Sequence, residues 1–167
     1  MPEPHAVGGF LRDALLGRPS YDLDLTVSGD ALPLARHLAD VLGGAFVLLD
    51  EPRQIARAVV QNGDETWRVD LASLQGDHLQ DLARRDFTID AMSVPLHTLL
   101  TGDWQSSVLD PFGGRRDLEA RLVRAVNPGV FREDGLRLLR AVRLAASLDF
   151  SIEAATQDLV RRDAAAL

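Results

Sequence analysis

The chain has 167 residues, which suits one domain, or one domain with a short helical extension, and allows a substantial hydrophobic core. The absence of cysteine excludes disulfides, thiolate metal sites and cysteine nucleophiles, and no apolar run approaches the ~20 residues that span a bilayer. The formal net charge of −7 argues against a broad RNA-binding surface, and the opening M-P-E-P-H is no signal peptide, so a cytoplasmic protein is expected.

The stretch from Val7 to Val27, V-G-G-F-L-R-D-A-L-L-G-R-P-S-Y-D-L-D-L-T-V, predicts a strand, a glycine turn, a short helix and a second strand. Residues on a strand alternate between its two faces, so Asp22 and Asp24 share one face. Two carboxylates on one face repel each other unless a cation lies between them. The pair therefore predicts a site for Mg²⁺, in which two ions would support in-line phosphoryl or nucleotidyl transfer.

The glycine turn adds a way to hold phosphates. Gly8 and Gly9 have no Cβ, so a polyphosphate could approach their backbone N–H groups at the start of a helix. Arg12, one turn later, could donate two hydrogen bonds to a phosphate. For each feature alone, a solvated acidic strand end or an ordinary turn is the plain alternative. Taken together, the features predict a nucleoside triphosphate held by backbone amides and metal.

The next part of the chain predicts a helix and three strands. The helix covers residues 30–43, is capped by Asp30 and packs on a sheet. The strands form an antiparallel meander with turns at D-E-P-R and Q-N-G-D. They cover residues 45–49, 55–60 and 66–71.

Asp70 lies in the third of these strands, in the sequence W-R-V-D-L-A. Its two apolar neighbours should face the core, so its carboxylate should face the same way as the acids of the second strand. A nucleotidyl transfer site needs a further acid near the attacking 3′-hydroxyl, as a metal ligand or a proton acceptor. Asp70 is the candidate for that role. The alternative is a surface acid paired with Arg57 or Arg68.

Residues 76–118 predict connecting elements between the catalytic part and a late helix. A polar helix over residues 76–83 precedes R-R-D-F-T-I-D-A-M, in which a guanidinium could reach a triphosphate or a ribose. Residues 93–109 are predicted to form a strand, a polar loop and a strand. D-P-F-G-G-R-R-D-L then predicts a turn and a helix start, with glycines that allow a bend.

From Phe131, the sequence F-R-E-D-G-L-R-L-L-R-A-V-R-L-A-A-S-L predicts one helix with two faces. The predicted core stripe consists of Leu136, Leu139, Val142 and Ala146 with adjacent apolar residues. Arg137, Arg140 and Arg143 recur every three residues on a second face, with Asp134 one turn before Arg137. The plain interpretation is a solvated face whose ion pairs contribute ~0.2–0.5 kcal/mol each.

The charged face has a second interpretation, which follows from the hydrogen-bonding groups of the bases. Cytosine and adenine each present an amino donor beside a ring-nitrogen acceptor, whereas uracil and guanine present a carbonyl acceptor beside an N–H donor. A carboxylate only accepts and a guanidinium only donates, so Asp134 beside Arg137 would match C and A. A wrong base would leave buried polar groups unpaired.

Four ordered stretches resemble the class II tRNA nucleotidyltransferases, the bacterial and eukaryotic CCA-adding enzymes, and the closely related bacterial poly(A) polymerases. The stretches are V-G-G-F-L-R-D-A-L-L-G-R-x-x-x-D-L-D-L, R-R-D-F-T-I-D-A-M, D-P-F-G-G-R-R-D-L and E-D-G-L-R-L-L-R-A-V-R. The resemblance implies an α/β head of DNA polymerase β-like type with a mixed sheet over residues 1–114. A helical neck over residues 115–167 would follow, short of the body and tail with which family members grip tRNA. The chain is then part of a longer protein or an unusually small member.

The resemblance also implies roles for individual residues. Asp22 and Asp24 would hold two Mg²⁺ ions, and Asp70 would act at the attacking oxygen. Arg85 would contact the nucleotide in a stretch that favours ribose, although Asp90 stands where asparagine is more usual. The remaining roles concern the late helix. The base would be read by Asp134 and Arg137, and Arg140 and Arg143 would lie near the incoming nucleotide or its phosphates.

The implied reaction is template-independent addition of C, A or both from CTP and ATP to the 3′ end of tRNA or another RNA primer, with release of pyrophosphate. CCA addition, CC addition and A addition stay open, as does the oligomeric state. A bacterial poly(A) polymerase is one alternative. A non-catalytic nucleotide-sensing or RNA-binding module is another, favoured only by the short chain and its acidic charge.

Overall fold

The structure is a computed structural model and describes residues 3–164. These residues divide into two compact units. The first comprises the described residues up to His78 together with Ser93–Leu109, and the second comprises Leu79–Met92 with the described residues from Asp110 onward. The predicted boundary between head and neck stays a prediction.

Six strands of the first unit form one mixed sheet. They are β1 (His5–Val7), β2 (Asp22–Val27), β3 (Ala45–Asp50), β4 (Ile55–Asn62), β5 (Glu65–Ser73) and β6 (Ser93–Pro95). Their order across the sheet is β3, β4, β5, β2, β1, β6. The pair β2 and β5 is parallel, and the other neighbouring pairs are antiparallel. The predicted mixed α/β fold and the predicted meander of β3, β4 and β5 are confirmed.

Two helices of the first unit follow β1 and β2. They are α1 (Gly9–Leu15) and α2 (Ala31–Val41). The carboxylate of Asp30 caps α2 by accepting the N–H of Leu32 at 3.1 Å, as predicted. The buried positions of α2 are all alanine, and such small side chains allow close packing on β3, β4 and β5. The helix ends two residues earlier than predicted, and Val41 and Leu42 are exposed.

The segment after β6 differs from the prediction. It contains two short 3₁₀ helices, Leu96–Leu100 and Trp104–Ser107, in place of a polar loop. The predicted second strand is reduced to one bridge, in which Ser93 and Leu109 exchange N–H···O bonds of 3.1 and 2.8 Å. The bridge involves only one residue of each segment, so it is too short to continue the sheet.

The second unit is mainly helical. It contains the end of α3 (His78–Ala83), a 3₁₀ turn at Thr88–Asp90, α4 (Gly114–Glu119), α5 (Val130–Glu133), α6 (Leu136–Leu148) and α7 (Ala154–Ala164). A small parallel sheet pairs β7 (Leu122–Val123) with β8 (Ser151–Ile152). Among the helices of residues 3–164, none has the length and apolar character that crossing a membrane requires.

The predicted helix from Phe131 is divided into α5 and α6. Asp134 between them has an extended backbone, with φ −154° and ψ 110°, and its carboxylate accepts the N–H of Leu136 at 2.9 Å. Aspartate favours such local hydrogen bonds over a continued helix. Asp134 therefore lies just before α6, and Arg137 lies in the first turn of that helix.

The predicted core stripe of α6 is wrong. Leu136, Leu139 and Val142 have exposed fractions of 68%, 70% and 56%, and Ala146 is also exposed. The buried stripe of α6 consists of Leu138, Ala141, Leu144 and Leu148. Both sets have helical spacing, so the pattern allowed either face. The second set faces the core because α6 packs against α5, β7 and β8 on that side.

A buried polar network holds the second unit together. Asp117, which is 1% exposed, accepts hydrogen bonds from the hydroxyl of Thr88 at 2.7 Å and from Nε of Arg124 at 2.9 Å. The same arginine pairs with Glu153 at 3.0 Å, and Glu153 accepts the N–H of Thr156 at 2.8 Å. Burial raises the pKa of Glu153, but the hydrogen bonds from Thr156 and the charge of Arg124 outweigh it and lower that pKa.

Candidate active site

Three carboxylates lie on one face of the sheet. In the parallel pair of β2 and β5, Asp24 is directly opposite Asp70, and Asp22 is opposite Arg68. Directly opposite residues of neighbouring strands project to the same face, and so do residues two apart on one strand. The predicted common face of Asp22, Asp24 and Asp70 is therefore present in the structure.

The glycine turn begins beside these acids. Val7, the last residue of β1, is opposite Asp24 in the antiparallel pair of β1 and β2. Gly8 then has φ 69° and ψ −143°, a conformation that only glycine adopts readily. A Cβ on Gly9 would lie 3.2 Å from Nη2 of Arg12. The first glycine thus makes the turn possible, and the second leaves room for the arginine.

Arg12 is held by the residue that follows it. Its Nε and Nη2 donate to the two carboxylate oxygens of Asp13 at 3.0 and 2.9 Å. The side chain of Arg12 is only 13% exposed. This arrangement fixes the guanidinium over Gly9, next to the turn in which phosphate binding is predicted.

Asp70 is held by an arginine from the neighbouring strand. Nε and Nη2 of Arg57 donate to the two carboxylate oxygens of Asp70 at 2.6 and 2.8 Å. The pKa of Arg57 is raised by these hydrogen bonds; burial opposes the shift, and the charges of Asp22 and Asp24 add to it. The predicted alternative of an Asp70–Arg57 pair is therefore realised, on the same face as the other two acids.

The sequence predicts the pairing of Arg57 with Asp70 only as the alternative to a role for Asp70 in the site, although it contains a signal that favours Arg57 over Arg68 as the partner. The two-residue turn of Gly63 and Asp64 joins β4 to β5, with Asn62 opposite Glu65. That turn fixes the register of the hairpin, because each step back along β4 is matched by one step forward along β5. Counting from the turn brings residue 57 opposite residue 70.

The acids of β2 have the chemistry of a magnesium site. Carboxylate oxygens are hard ligands, and Mg²⁺ commonly binds one or two carboxylates and completes its shell with water and substrate phosphates. Asp22 and Asp24 fit this pattern, and the side chain of Asp22 is 66% exposed to solvent. Within residues 3–164, no three histidine, aspartate or glutamate side chains form a metal-binding group. Asp70 is engaged by Arg57, so the fit rests on the two acids of β2.

The predicted base-reading residues lie in the second unit. Arg137 donates to the backbone carbonyls of Val130 at 3.1 Å and Arg84 at 2.9 Å, and it pairs with Glu133 at 2.9 Å. One carboxylate oxygen of Asp134 accepts the N–H of Leu136, the first residue of α6. The backbone contacts hold Arg137 close to the R-R-D stretch, a relationship that no sequence pattern indicated.

The other predicted arginines of this unit differ in their surroundings. Nε of Arg140 donates to the carboxylate of Asp86 at 2.5 Å, and Asp86 is 7% exposed. Arg85 donates to the carbonyl of Asp90 at 3.4 Å. Arg143 is exposed on α6. The structure thus connects Arg140 to the R-R-D stretch. That these residues of the second unit line one nucleotide cleft together with the acids and the glycine turn of the first unit stays a prediction.

A family model described as the Poly A polymerase head domain matches residues 5–124 of the chain. The match spans well over half of the 167 residues. The chain belongs to the poly(A) polymerase head-domain family. The resemblance seen in the four sequence stretches is confirmed by this match.

Relatives of this head-domain chain include enzymes named for different nucleotides. The CC-adding tRNA nucleotidyltransferase of Geobacter sulfurreducens is 46% identical over 92% of the chain. The A-adding tRNA nucleotidyltransferase of Halalkalibacterium halodurans is 38% identical, also over 92% of the chain. A solved tRNA-processing enzyme with CTP matches 97% of the chain at 32% identity, with a TM-score of 0.81. The chain spans 34%, 38% and 43% of the lengths of these three proteins.

Proposed function

We propose that the chain provides the head and neck of a template-independent tRNA nucleotidyltransferase. The enzyme would add C, A or both from CTP and ATP to the 3′ end of a tRNA. One observation carries the proposal: Asp24 has Val7, at the start of the glycine turn, on one side and Asp70 on the other. A candidate metal ligand, a phosphate-binding turn and a third acid therefore lie on adjacent strands. The names of the relatives supply the substrate class.

In the proposed reaction, the 3′-hydroxyl of the RNA gives up its proton to Asp70 or to water, its oxygen bonds to the α-phosphorus of the nucleotide, and the bond from that phosphorus to pyrophosphate breaks. Asp22 and Asp24 would hold Mg²⁺, with two ions expected. When bound, the cation supplies positive charge that offsets the charge of the triphosphate. Asp70 would orient the attacking hydroxyl from its place beside Asp24.

The triphosphate would lie against the glycine turn. The backbone N–H groups of Gly8 and Gly9 would donate to phosphate oxygens, and Arg12 would donate from the adjacent turn of α1. Asp13 holds Arg12 in a fixed orientation, so little side-chain freedom would be lost when the nucleotide binds.

The base would be read by Asp134 and Arg137. A guanidinium has five N–H donors. Within residues 3–164, Arg137 uses three of its five N–H donors to bind Val130, Glu133 and Arg84. The other two N–H donors would be available for the acceptors of a C or A base. Asp134 would accept the amino group. Three further arginines are proposed near the nucleotide or its phosphates: Arg85, Arg140 and Arg143.

The direct test is a nucleotide-addition assay on tRNA that lacks its CCA end, with each nucleotide supplied alone and the product ends sequenced. We expect Mg²⁺-dependent incorporation of CTP, ATP or both, with release of pyrophosphate. Asp22→Ala combined with Asp24→Ala should abolish incorporation. Asp40→Ala, which removes an exposed acid from α2, is the matched control and should leave it unchanged. Activity retained in the double variant would overturn the catalytic assignment.

The choice of nucleotide and primer distinguishes the enzymes of this family. Use of CTP alone would indicate CC addition, and use of ATP after a preformed CC end would indicate A addition. ATP addition to unrelated RNA without CTP use would instead indicate poly(A) polymerase activity, an outcome that the family match also allows. Binding of nucleotide or RNA without pyrophosphate release would favour a non-catalytic module.

A further inference from the structure

Arg57 flanks the acidic face of the sheet, which is the face that carries Asp22, Asp24 and Asp70. It lies on β4, with Val47 of β3 opposite on one side and Asp70 of β5 opposite on the other. The side chains of Arg57 and Asp70 are 33% and 25% exposed, so the pair is shielded more than an ordinary surface ion pair. Beyond Asp70, Asp24 is the next residue across the sheet.

We propose that Arg57 is a positioning residue of the nucleotidyl transfer site, and this inference rests on the proposed function. Arg57 would hold Asp70 in one orientation and supply the positive charge that keeps three carboxylates together before a metal cation binds. Asp22 and Asp24 remain the proposed metal ligands, and Arg57 acts through its effect on the acids.

The geometry of the pair supports the positioning role. Two parallel N–H···O bonds, at 2.6 and 2.8 Å, prevent the carboxylate of Asp70 from rotating. Arg68, which lies opposite Asp22, binds less firmly, because it makes a single bond of 3.2 Å to Asp22 and both side chains are exposed. Exposed single-contact pairs add little stabilisation. Arg57 therefore constrains the carboxylate of Asp70 more firmly than Arg68 constrains that of Asp22.

The charge of Arg57 has a second consequence. Three carboxylates on adjacent strands repel one another, and the guanidinium of Arg57, which comes from the strand on the other side of Asp70, offsets that repulsion. The same positive charge repels an incoming metal cation. Loss of Arg57 should therefore tighten cation binding while it slows transfer, because Asp70 would no longer be held. A residue with only a structural role would not produce this opposite pair of effects.

Arg57→Ala and Arg57→Lys test the two roles separately. Lysine keeps the charge but cannot form the planar two-bond contact. Arg53→Ala is the matched control, since Arg53 lies in the adjacent turn with its side chain 79% exposed. The dissociation constant of Mn²⁺, used as the probe cation, is measured by electron paramagnetic resonance. Tm is measured in EDTA and in saturating Mn²⁺, and nucleotide addition is measured under single-turnover conditions.

For Arg57→Ala we expect the Mn²⁺ dissociation constant to fall by about threefold to tenfold, as removal of a nearby unit charge implies. Tm in EDTA should fall by about 2–4 °C, with a smaller fall in Mn²⁺. The rate of nucleotide addition should fall by about 100-fold with the nucleotide KM unchanged. Arg57→Lys should keep the cation affinity of the native protein but have a reduced rate, and Arg53→Ala should match the native protein throughout.

An unchanged Mn²⁺ affinity together with equal Tm losses in EDTA and Mn²⁺ would overturn the proposal and leave Arg57 as a structural residue. Full activity of Arg57→Ala would overturn the positioning of Asp70. If the native protein adds no nucleotide, the proposed function fails, and the cation affinity and Tm still decide whether Arg57 balances the acidic face.

Discussion

Asp24 and Asp70 lie side by side in the parallel pair of β2 and β5, although they belong to strands that are far apart in the chain. Arg57 donates one hydrogen bond to each carboxylate oxygen of Asp70. Main-chain hydrogen bonds of the sheet fix the positions of Asp24 and Asp70 relative to each other, and the guanidinium of Arg57 fixes the orientation of the Asp70 carboxylate. The proposed transfer site would therefore need little rearrangement before reaction.

Asp70→Asn tests the third acid. Asparagine keeps the size of the side chain and removes its charge, so the hydroxyl of the RNA would lose the group proposed to orient it. We expect the rate of nucleotide addition to fall by about 10²–10⁴-fold with nucleotide affinity nearly unchanged. Glu65→Gln, an exposed acid on the same strand, should have the activity of the native protein. A rate within twofold of native for Asp70→Asn would assign the carboxylate to structure alone.

Gly114→Ala should destabilise the second unit. A Cβ at this position would lie 2.3 Å from the carbonyl oxygen of Thr88, and a backbone atom cannot move aside as a flexible side chain can. We expect a loss of about 1–3 kcal/mol in the free energy of unfolding, measured in urea. Gly129→Ala is the control, because its Cβ would meet only the Asn127 side chain at 3.4 Å. Equal stability of the two variants would contradict this account.

The buried face of α6 can be checked with two adjacent leucines. Leu138 is 6% exposed and Leu139 is 70% exposed. Leu138→Ala should cost about 2–5 kcal/mol, and Leu139→Ala should change the free energy of unfolding by no more than about 0.5 kcal/mol. Urea unfolding followed by circular dichroism measures both. The reverse ranking would restore the stripe expected from the sequence.

The ion pairs of Asp163 on α7 should make the folded protein less stable in acid. Its pKa is lowered to about 2 because Arg162 donates to both of its oxygens; burial opposes the shift, and Arg132 adds to it. The folded-state pKa is below the ordinary value of 3.8, so the charged form stabilises the fold above about pH 4. That stabilisation is lost as the pH falls towards 2.

The measurement is Tm between pH 2 and pH 5 for the native protein and for Asp163→Asn. The native protein should lose more of its Tm across this range than the variant, because asparagine does not titrate. Arg161→Ala, which breaks an exposed pair with Asp158, should follow the native curve. Parallel curves for the native protein and Asp163→Asn would rule out this contribution.

Local pattern was sufficient for several features of the site. Strand alternation places Asp22 and Asp24 on one face, the glycine pair marks the turn after β1, and Asp30 caps α2. The hairpin turn between β4 and β5 also determines which residue lies opposite Asp70. These features depend on backbone geometry over a few residues, and the same few residues of the sequence determine that geometry.

Other features depended on the tertiary structure. The parallel pairing of β2 with β5 brings Asp24 to Asp70, and the contact of Arg140 with Asp86 joins residues 54 apart in sequence. Packing also selected Leu138 over Leu139 for the core of α6, since both lie on faces with helical spacing. The periodicity of apolar residues predicts which residues share one face of a helix, but it does not predict which other elements that face packs against. The sequence by itself therefore determined the chemistry each segment offers, and the folding of distant segments against one another decided which groups act together.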